Sequence, residues 1–257
     1  MNKNFTDIDG LWFVPIRFSN ENKLNLFLFH YAGGSASFFK KWEKDIVEKV
    51  NIFALQLPGR ENRFNEKFIL SMDDLIEKVY KEFPKKLHIP SIFFGHSLGG
   101  LISFELARMI DANTNINLTH LIVSACQAPQ LSHLKKTLYN LSDNDFISEV
   151  KKYNGIPKEI LQEPELLYEV ILPILRSDFT ISDSYEYKKR AKIKPKVIAI
   201  CGKADNTFDI NNILKWSDET HNFDYKYFTG DHFFINIEYN RVMQLINNIL
   251  LKELSKK

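Results

Sequence analysis

Cysteine is scarce in this chain, with only Cys126 and Cys201 among 257 residues. Each sits in or beside an apolar run (LIVSAC, KVIAIC), which points to buried, reduced thiols rather than a disulfide framework. Long hydrophobic runs are also missing. No stretch reaches the roughly 18 apolar residues of a membrane span, and the N-terminal MNKNFTDIDG lacks the apolar core of a signal peptide. A reducing cytoplasm fits both absences. Neither sign of charge dominates: the net charge is +2, and Lys and Arg are interspersed with Asp and Glu. The basic stripe of a nucleic-acid binder is therefore not expected. Neither G-x-x-x-x-G-K-[ST] nor G-x-G-x-x-G occurs, and no Cys or His pair has metal-ligand spacing, so no cofactor and no metal are expected.

Aromatic residues are plentiful. Twenty-one Phe and ten Tyr suffice for a large core and an apolar pocket besides. Strand-like runs (24–29, 52–57, 91–94, 120–124, 196–200, 224–228) alternate with helix-like ones (38–49, 72–83, 98–110, 210–217, 235–251). This alternation predicts an α/β fold, a mostly parallel sheet covered by helices on both faces. Between Ala128 and about Arg190 it stops. Helix-like pieces at 143–153, 157–161 and 164–177 follow one another there, with Ser142 as N-cap and Asp145 completing a variant capping box. The expectation is a single domain, 1–257, with a helical lid inserted at about 128–190. Repeats, low-complexity segments and linkers are absent.

Gly95-His96-Ser97-Leu98-Gly99 matches G-x-S-x-G, directly after the strand SIFF and opening the helix LGGLISFELARMI. A nucleophile elbow needs that context. The chain turns so sharply that flanking side chains must vanish, which leaves the serine exposed at a helix N-terminus. The fold predicted is therefore the α/β-hydrolase fold, with Ser97 as nucleophile.

A serine hydroxyl needs a base, and in this fold the chain order is Ser, acid, His. Of seven histidines, only His221 and His232 come late enough. His232, in FTGDHFF between the last strand and the last helix, is preferred. His221 precedes that strand and should lie on the opposite sheet edge. Asp205, in CGKAD after the strand KVIAI, is the preferred acid, since a carboxylate at the strand's C-terminal edge can hold the imidazole tautomer. Asp209 reads instead as the start of a helix, and Asp231 is adjacent to the base and badly placed to face it. An oxyanion hole needs two backbone N–H groups. Leu98, after the nucleophile, offers one. Ala32, Gly33 and Gly34 in FHYAGGSASFF offer the other, Ala32 being preferred.

Together, FHYAGGSASFF, LQLPGRENRF, FFGHSLGG, LPILRSDFTISDSYEY, CGKAD and GDHFFI resemble the type II thioesterases, stand-alone hydrolases that accompany nonribosomal peptide and polyketide synthases. The matching pieces run from 24 to 236 in the family's order. The resemblance implies an enzyme that removes stalled or mis-primed acyl groups from the phosphopantetheine arm of an acyl or peptidyl carrier protein. It also implies Ser97, Asp205 and His232 as the triad, and a monomer. Leu98 departs from the methionine common at its position, but the donor there is backbone. Lys135, Lys136, Lys188, Lys189 and Arg190 flank the expected lid. They suit docking to an acidic carrier, although a solvated face is the plainer reading.

The alternatives are a general carboxylesterase, a medium-chain fatty acyl thioesterase and, from another class, a catalytically silent binding protein that keeps the fold. The last would show a missing triad member. The chain begins at Met1 with no carrier-like segment ahead of it, which disfavours a terminal domain cut from a larger synthase.

Overall fold

The strands at 24–29, 50–55 and 91–96 are buried at every position because both of their faces are covered, and most of their residues are apolar. The computed structural model describes residues 11–84, 88–114, 116–134, 137–156 and 159–256. Among these, β1 (Phe13–Arg17), β2 (Leu24–Phe29), β3 (Val50–Leu55), β4 (Ser91–His96), β5 (Leu118–Ser124), β6 (Lys196–Gly202) and β7 (Phe223–Phe228) form one sheet. Its order is β1-β3-β2-β4-β5-β6-β7, and every pair is parallel except β1 with β3. Leu26 pairs with Ile52 and Ile92, and Phe27 with Phe53 and Phe93. Because successive side chains alternate faces, the phenylalanines enter one core and the aliphatics the other. The Phe27 ring stacks on Phe53 at 5.1 Å and meets Phe93 edge-on at 5.6 Å.

On the phenylalanine face lie α1 (Met72–Glu82) and α2 (Leu98–Asn113); α7 (Tyr239–Leu254), preceded by the short α6 (Phe234–Ile237), covers the other. Two segments expected as α-helices are 3₁₀ turns instead, Ala36–Lys44 and Ile210–Asp218. Their buried residues explain this: Ala36, Phe39 and Trp42, then Ile213 and Trp216, recur every third position, the period of a 3₁₀ helix. Strand β1 was not expected from the sequence at all. It holds Pro15 beside a register shift, which an edge strand tolerates, and its residues are mostly half-buried.

Between β5 and β6 the described residues contain no strand. The chain passes through 3₁₀ turns at Pro129–Leu134, α3 (Asp143–Lys151) and 3₁₀ turns at Ile160–Gln162. It then forms α4 (Pro164–Leu166), a π turn (Leu167–Ile171) and α5 (Leu172–Asp183). Of the helical piece expected at 157–161, residues 157 and 158 lie outside the described residues, as do Lys135 and Lys136. Ser142 caps α3, accepting from the Asp145 N–H at 3.3 Å and donating to its carboxylate at 2.7 Å. Phe146, Val150, Leu167, Leu175 and Phe179 give this segment its own small core. Tyr185 and Tyr187 then tie the chain back to the sheet layer through hydroxyl bonds of 2.6 Å to Glu105 and Glu219.

Strand β2 leads towards β3 on one side, while its other neighbour β4 leads towards β5 on the opposite side. The loops leaving β2 and β4 therefore diverge and open a crevice at the strands' C-terminal ends. In open α/β sheets that switch point is where ligands bind.

Candidate active site

The strand–helix turn at the end of β4 is as tight as the glycine spacing predicts. Ser97 has φ 55° and ψ −119°, a conformation costly to any residue with a side chain and characteristic of functional sites. A Cβ on Gly95 would come within 2.1 Å of Gly99 O, and one on Gly99 within 2.1 Å of Phe29 O. Both contacts are to backbone, so neither glycine can be replaced without moving the turn. Ser97 N–H donates to Ser124 O at 2.8 Å, which anchors the serine to β5.

His232, in the loop after β7, has Nε2 3.0 Å from Ser97 Oγ and Nδ1 2.9 Å from Asp205 Oδ2, in the loop after β6. A carboxylate only accepts, so Nδ1 carries the hydrogen and Nε2 is free to accept from the serine hydroxyl. Asp205 is buried. Burial alone would raise its pKa, but the hydrogen bonds from His232 and Thr207 outweigh that and hold the carboxyl below its ordinary value. Thr207 supplies two of those bonds, N–H at 3.0 Å and Oγ1–H at 2.7 Å, both to Asp205 Oδ1. The alternatives are placed elsewhere. His221 is exposed ahead of β7, Asp209 caps the 210–218 turns by accepting from Asn211 N–H, and Asp231 accepts from Phe233 N–H and Asn154.

Leu98 N–H stands at the first position of α2, where a helix leaves its donors free. In the loop after β2, Gly33 N–H donates to Asp178 Oδ2 at 2.7 Å and Gly34 N–H to Tyr31 O at 2.9 Å. Of the three candidate donors in that loop, Ala32 is the one whose N–H is not committed in this way. Its peptide plane is fixed from the other end, since Tyr31 O also accepts from His30 Nδ1–H at 2.9 Å. His30 is fully buried, and burial together with the nearby Arg60 charge lowers its pKa to about 4, so it is neutral.

Ala32, Ser97, Leu98, Gln127, Thr207 and His232 line a cavity of about 90 Å³ roofed by Tyr153 and Phe179 from the segment between β5 and β6. A more apolar recess of about 30 Å³ adjoins it between Tyr31, Val150, Leu175 and Phe233. The Tyr153 ring packs edge-on against His232 at 5.4 Å. Burial, with the Asp183 and Asp205 charges, pushes the Tyr153 phenol up to about 12, so it remains a neutral donor. Among the described residues no group of three or more His, Cys, Asp or Glu could hold a metal ion, and no helix is long and apolar enough to cross a membrane.

A buried histidine–carboxylate pair against a serine on a strained elbow is the arrangement of acyl-transfer hydrolases. Residues 24–250 match the thioesterase domain family. The chain belongs to the thioesterase family. It is thus a hydrolase that acts on thioesters, with the α/β-hydrolase fold expected from the sequence, and not a silent binding protein. Gramicidin S biosynthesis protein GrsT of Aneurinibacillus migulanus is 39% identical over 225 residues, 87% of this chain and 88% of that one. Thioesterase PikA5 of Streptomyces venezuelae is 30% identical over 244 residues, 94% of this chain and 86% of that one. Among solved structures, the type II thioesterase BorB from the borrelidin biosynthetic cluster superposes with a TM-score of 0.84 at 28% identity, covering 93% of this chain and 97% of its own. The resemblance to type II thioesterases read from the motifs therefore extends over nearly the whole thioesterase chain.

Two residues of the site carry no sequence signal, Thr207 against the acid and Tyr153 over the cavity; Phe179 closes the motif LPILRSDF, but nothing there says that it roofs the site. Arg60 and Asp178 did lie in two of the resembling motifs, LQLPGRENRF and LPILRSDF, but nothing in either motif said that they meet.

Proposed function

We propose that this thioesterase hydrolyses short acyl groups from the phosphopantetheine arm of an acyl or peptidyl carrier protein, clearing stalled or mis-primed units from a nonribosomal peptide or polyketide synthase. The observation that carries the reading is the unbroken line Asp205–His232–Ser97 at the floor of a small roofed cavity. Ser97 Oγ attacks the thioester carbonyl carbon while His232 Nε2 takes the hydroxyl proton, and Asp205 stabilises the imidazolium. Negative charge on the carbonyl oxygen falls to the N–H groups of Leu98 and Ala32. Collapse breaks the C–S bond, the thiol leaves with the proton from His232, and Ser97 is acylated. Water then gives a proton to His232 as it attacks the acyl-enzyme; collapse breaks the ester C–O bond, His232 returns that proton to Ser97 Oγ, and the acid and free serine result. Giving its proton to the thiol leaves His232 neutral again, so the same histidine is the base of the second half.

The chain acts as a single domain, and its segment at about 128–190 is a lid whose Tyr153 and Phe179 shield the acyl-enzyme. A cavity of 90 Å³ is smaller than the roughly 150 Å³ that takes a benzene ring. That size favours an acetyl-sized or similarly short acyl unit over a medium fatty chain. The enzyme works as a cytoplasmic monomer and needs no cofactor of its own, the pantetheine belonging to its partner.

Hydrolysis of acetyl-carrier protein, acetyl-CoA and p-nitrophenyl acetate side by side tests the substrate class. Clear preference for the carrier thioester is expected. Equal or faster turnover of the free ester would make this a general hydrolase and remove the editing role.

A further inference from the structure

Arg60 and Asp178 form a buried ion pair that this chemistry leaves unused. Arg60 is 3% exposed and Asp178 fully buried. The fork is bidentate, Nη1 to Oδ2 and Nη2 to Oδ1, both at 2.7 Å. A buried pair is weak evidence for stability, because apolar side chains of similar volume often serve as well. What this one supplies is geometry. Asp178 Oδ2 also accepts the Gly33 N–H at 2.7 Å, and Arg60 Nη1 also donates to Gly34 O at 3.0 Å. The pair thus grips peptide groups of both glycines that follow Ala32.

Its two halves come from different layers. Arg60 follows β3, whereas Asp178 belongs to α5, whose next residue, Phe179, roofs the cavity. One turn earlier on α5, Leu175 lies over Gly33, where a Cβ would meet its Cδ2 at 2.6 Å. Gly33 has φ +80°, so this is a position where only glycine is at ease.

The consequence lies in two rigid peptide planes. The plane carrying Tyr31 C=O and Ala32 N–H is held by His30 and Gly34, as described above. The next plane, carrying Ala32 C=O and Gly33 N–H, is held by Asp178. Each plane is rigid, and they are joined only at the Ala32 Cα, so fixing both fixes where the Ala32 N–H points. We infer that Arg60 and Asp178 are positioning residues for thioester hydrolysis: they clamp the loop after β2 to α5, so that the Ala32 N–H is aimed at the reacting oxygen only while α5 is seated over the cavity. This rests on the reading of Ala32 N–H as an oxyanion donor.

The test uses Asp178→Asn, Arg60→Lys and the charge-free pair Arg60→Met/Asp178→Leu in the full chain, assayed well below their unfolding midpoints. The readouts are kcat and KM for acetyl-carrier protein, and inhibition by a trifluoromethyl ketone thioether, whose serine adduct places an oxyanion in the hole. Loss of one oxyanion donor lowers kcat about 100-fold or more, so the charge-free pair should lose about 100-fold in kcat. Its KM should stay within about threefold, and its inhibitor should weaken by the same factor as kcat. Arg60→Lys keeps the charge without the fork and is the variant least prone to misfolding; it should show the same split at smaller size. Wild-type kcat in any folded variant that has lost the fork, or a loss confined to KM or to the unfolding midpoint, overturns the clamp. A backbone ester at Ala32, made with lactic acid, removes that N–H while keeping the side chain and the Arg60–Asp178 fork. If the ester leaves kcat intact, the oxyanion reading fails. If the ester lowers kcat and the charge-free pair does not, that reading stands and the clamp falls.

Discussion

Asp205→Asn exchanges one carboxylate oxygen for an NH₂ of nearly the same shape, and the structure dictates which oxygen is exchanged. Oδ1 accepts two hydrogens from Thr207, through N–H at 3.0 Å and Oγ1–H at 2.7 Å. An NH₂ there would face two donors, so Asn must keep its oxygen towards Thr207 and turn its NH₂ towards His232 Nδ1. The imidazole can accept that hydrogen only if Nδ1 is bare, which moves its own hydrogen to Nε2. Nε2 then cannot take the proton of Ser97, 3.0 Å away. The equivalent change in a serine protease triad lowers kcat about 10⁴-fold by this tautomer reversal, about 5.5 kcal/mol of transition-state stabilisation. We expect a fall of that order in kcat for acetyl-carrier protein, with KM little changed and a cooperative thermal transition retained. Steady-state kinetics and circular dichroism on the purified variant decide it. A kcat within tenfold of wild type would refute the role given to Asp205 and the tautomer argument with it.

Gly99→Ala should destabilise the protein by about 3 kcal/mol or more, because its Cβ meets the Phe29 carbonyl at 2.1 Å rather than a side chain that can yield; a denaturant midpoint like that of wild type would contradict this. His30 binds its proton only near pH 4 when folded, against 6.5 in the unfolded chain. Below pH 6.5 the unfolded state therefore holds more protons, and stability falls by about 1.4 kcal/mol per pH unit as the pH drops towards 4, the contribution being fully present above that window. Urea titrations of wild type and His30→Gln should show a shallower slope for the variant, and parallel slopes would refute the assignment. Charge reversal at Lys188 and Lys189, both exposed, should raise KM for carrier-bound substrate more than for acetyl-CoA if these residues dock the carrier. Lys188 is already paired with Asp73 at 2.9 Å, which caps the expected effect, and equal effects on the two substrates would remove the docking role.

The parts of this molecule legible in its sequence are those where local geometry leaves no choice. Gly95 and Gly99 mark the elbow because a Cβ at either would strike backbone. Strands β2 to β4 read as strands because both faces are buried, which makes most of their positions apolar. Strand β1 was hidden by Pro15, which only an edge can hold. The turns at 36–44 and 210–218 resemble α-helices in the sequence because a three-residue spacing of apolar positions is close to 3.6. Arg60 and Asp178 are 118 residues apart and meet only once α5 lies over the sheet. No periodicity reports such a contact. Thr207 was invisible for a different reason, since a threonine two residues after an aspartate reads equally well as an ordinary turn.

The most direct test of the account is covalent titration of Ser97. A fluorophosphonate should add once per chain, on the peptide that contains Ser97, and hydrolysis of acetyl-carrier protein should fall in proportion to the adduct. Ser97→Ala should fold, take no label and hydrolyse nothing above background. Undiminished hydrolysis by the fully labelled enzyme or by Ser97→Ala would place the chemistry on another residue.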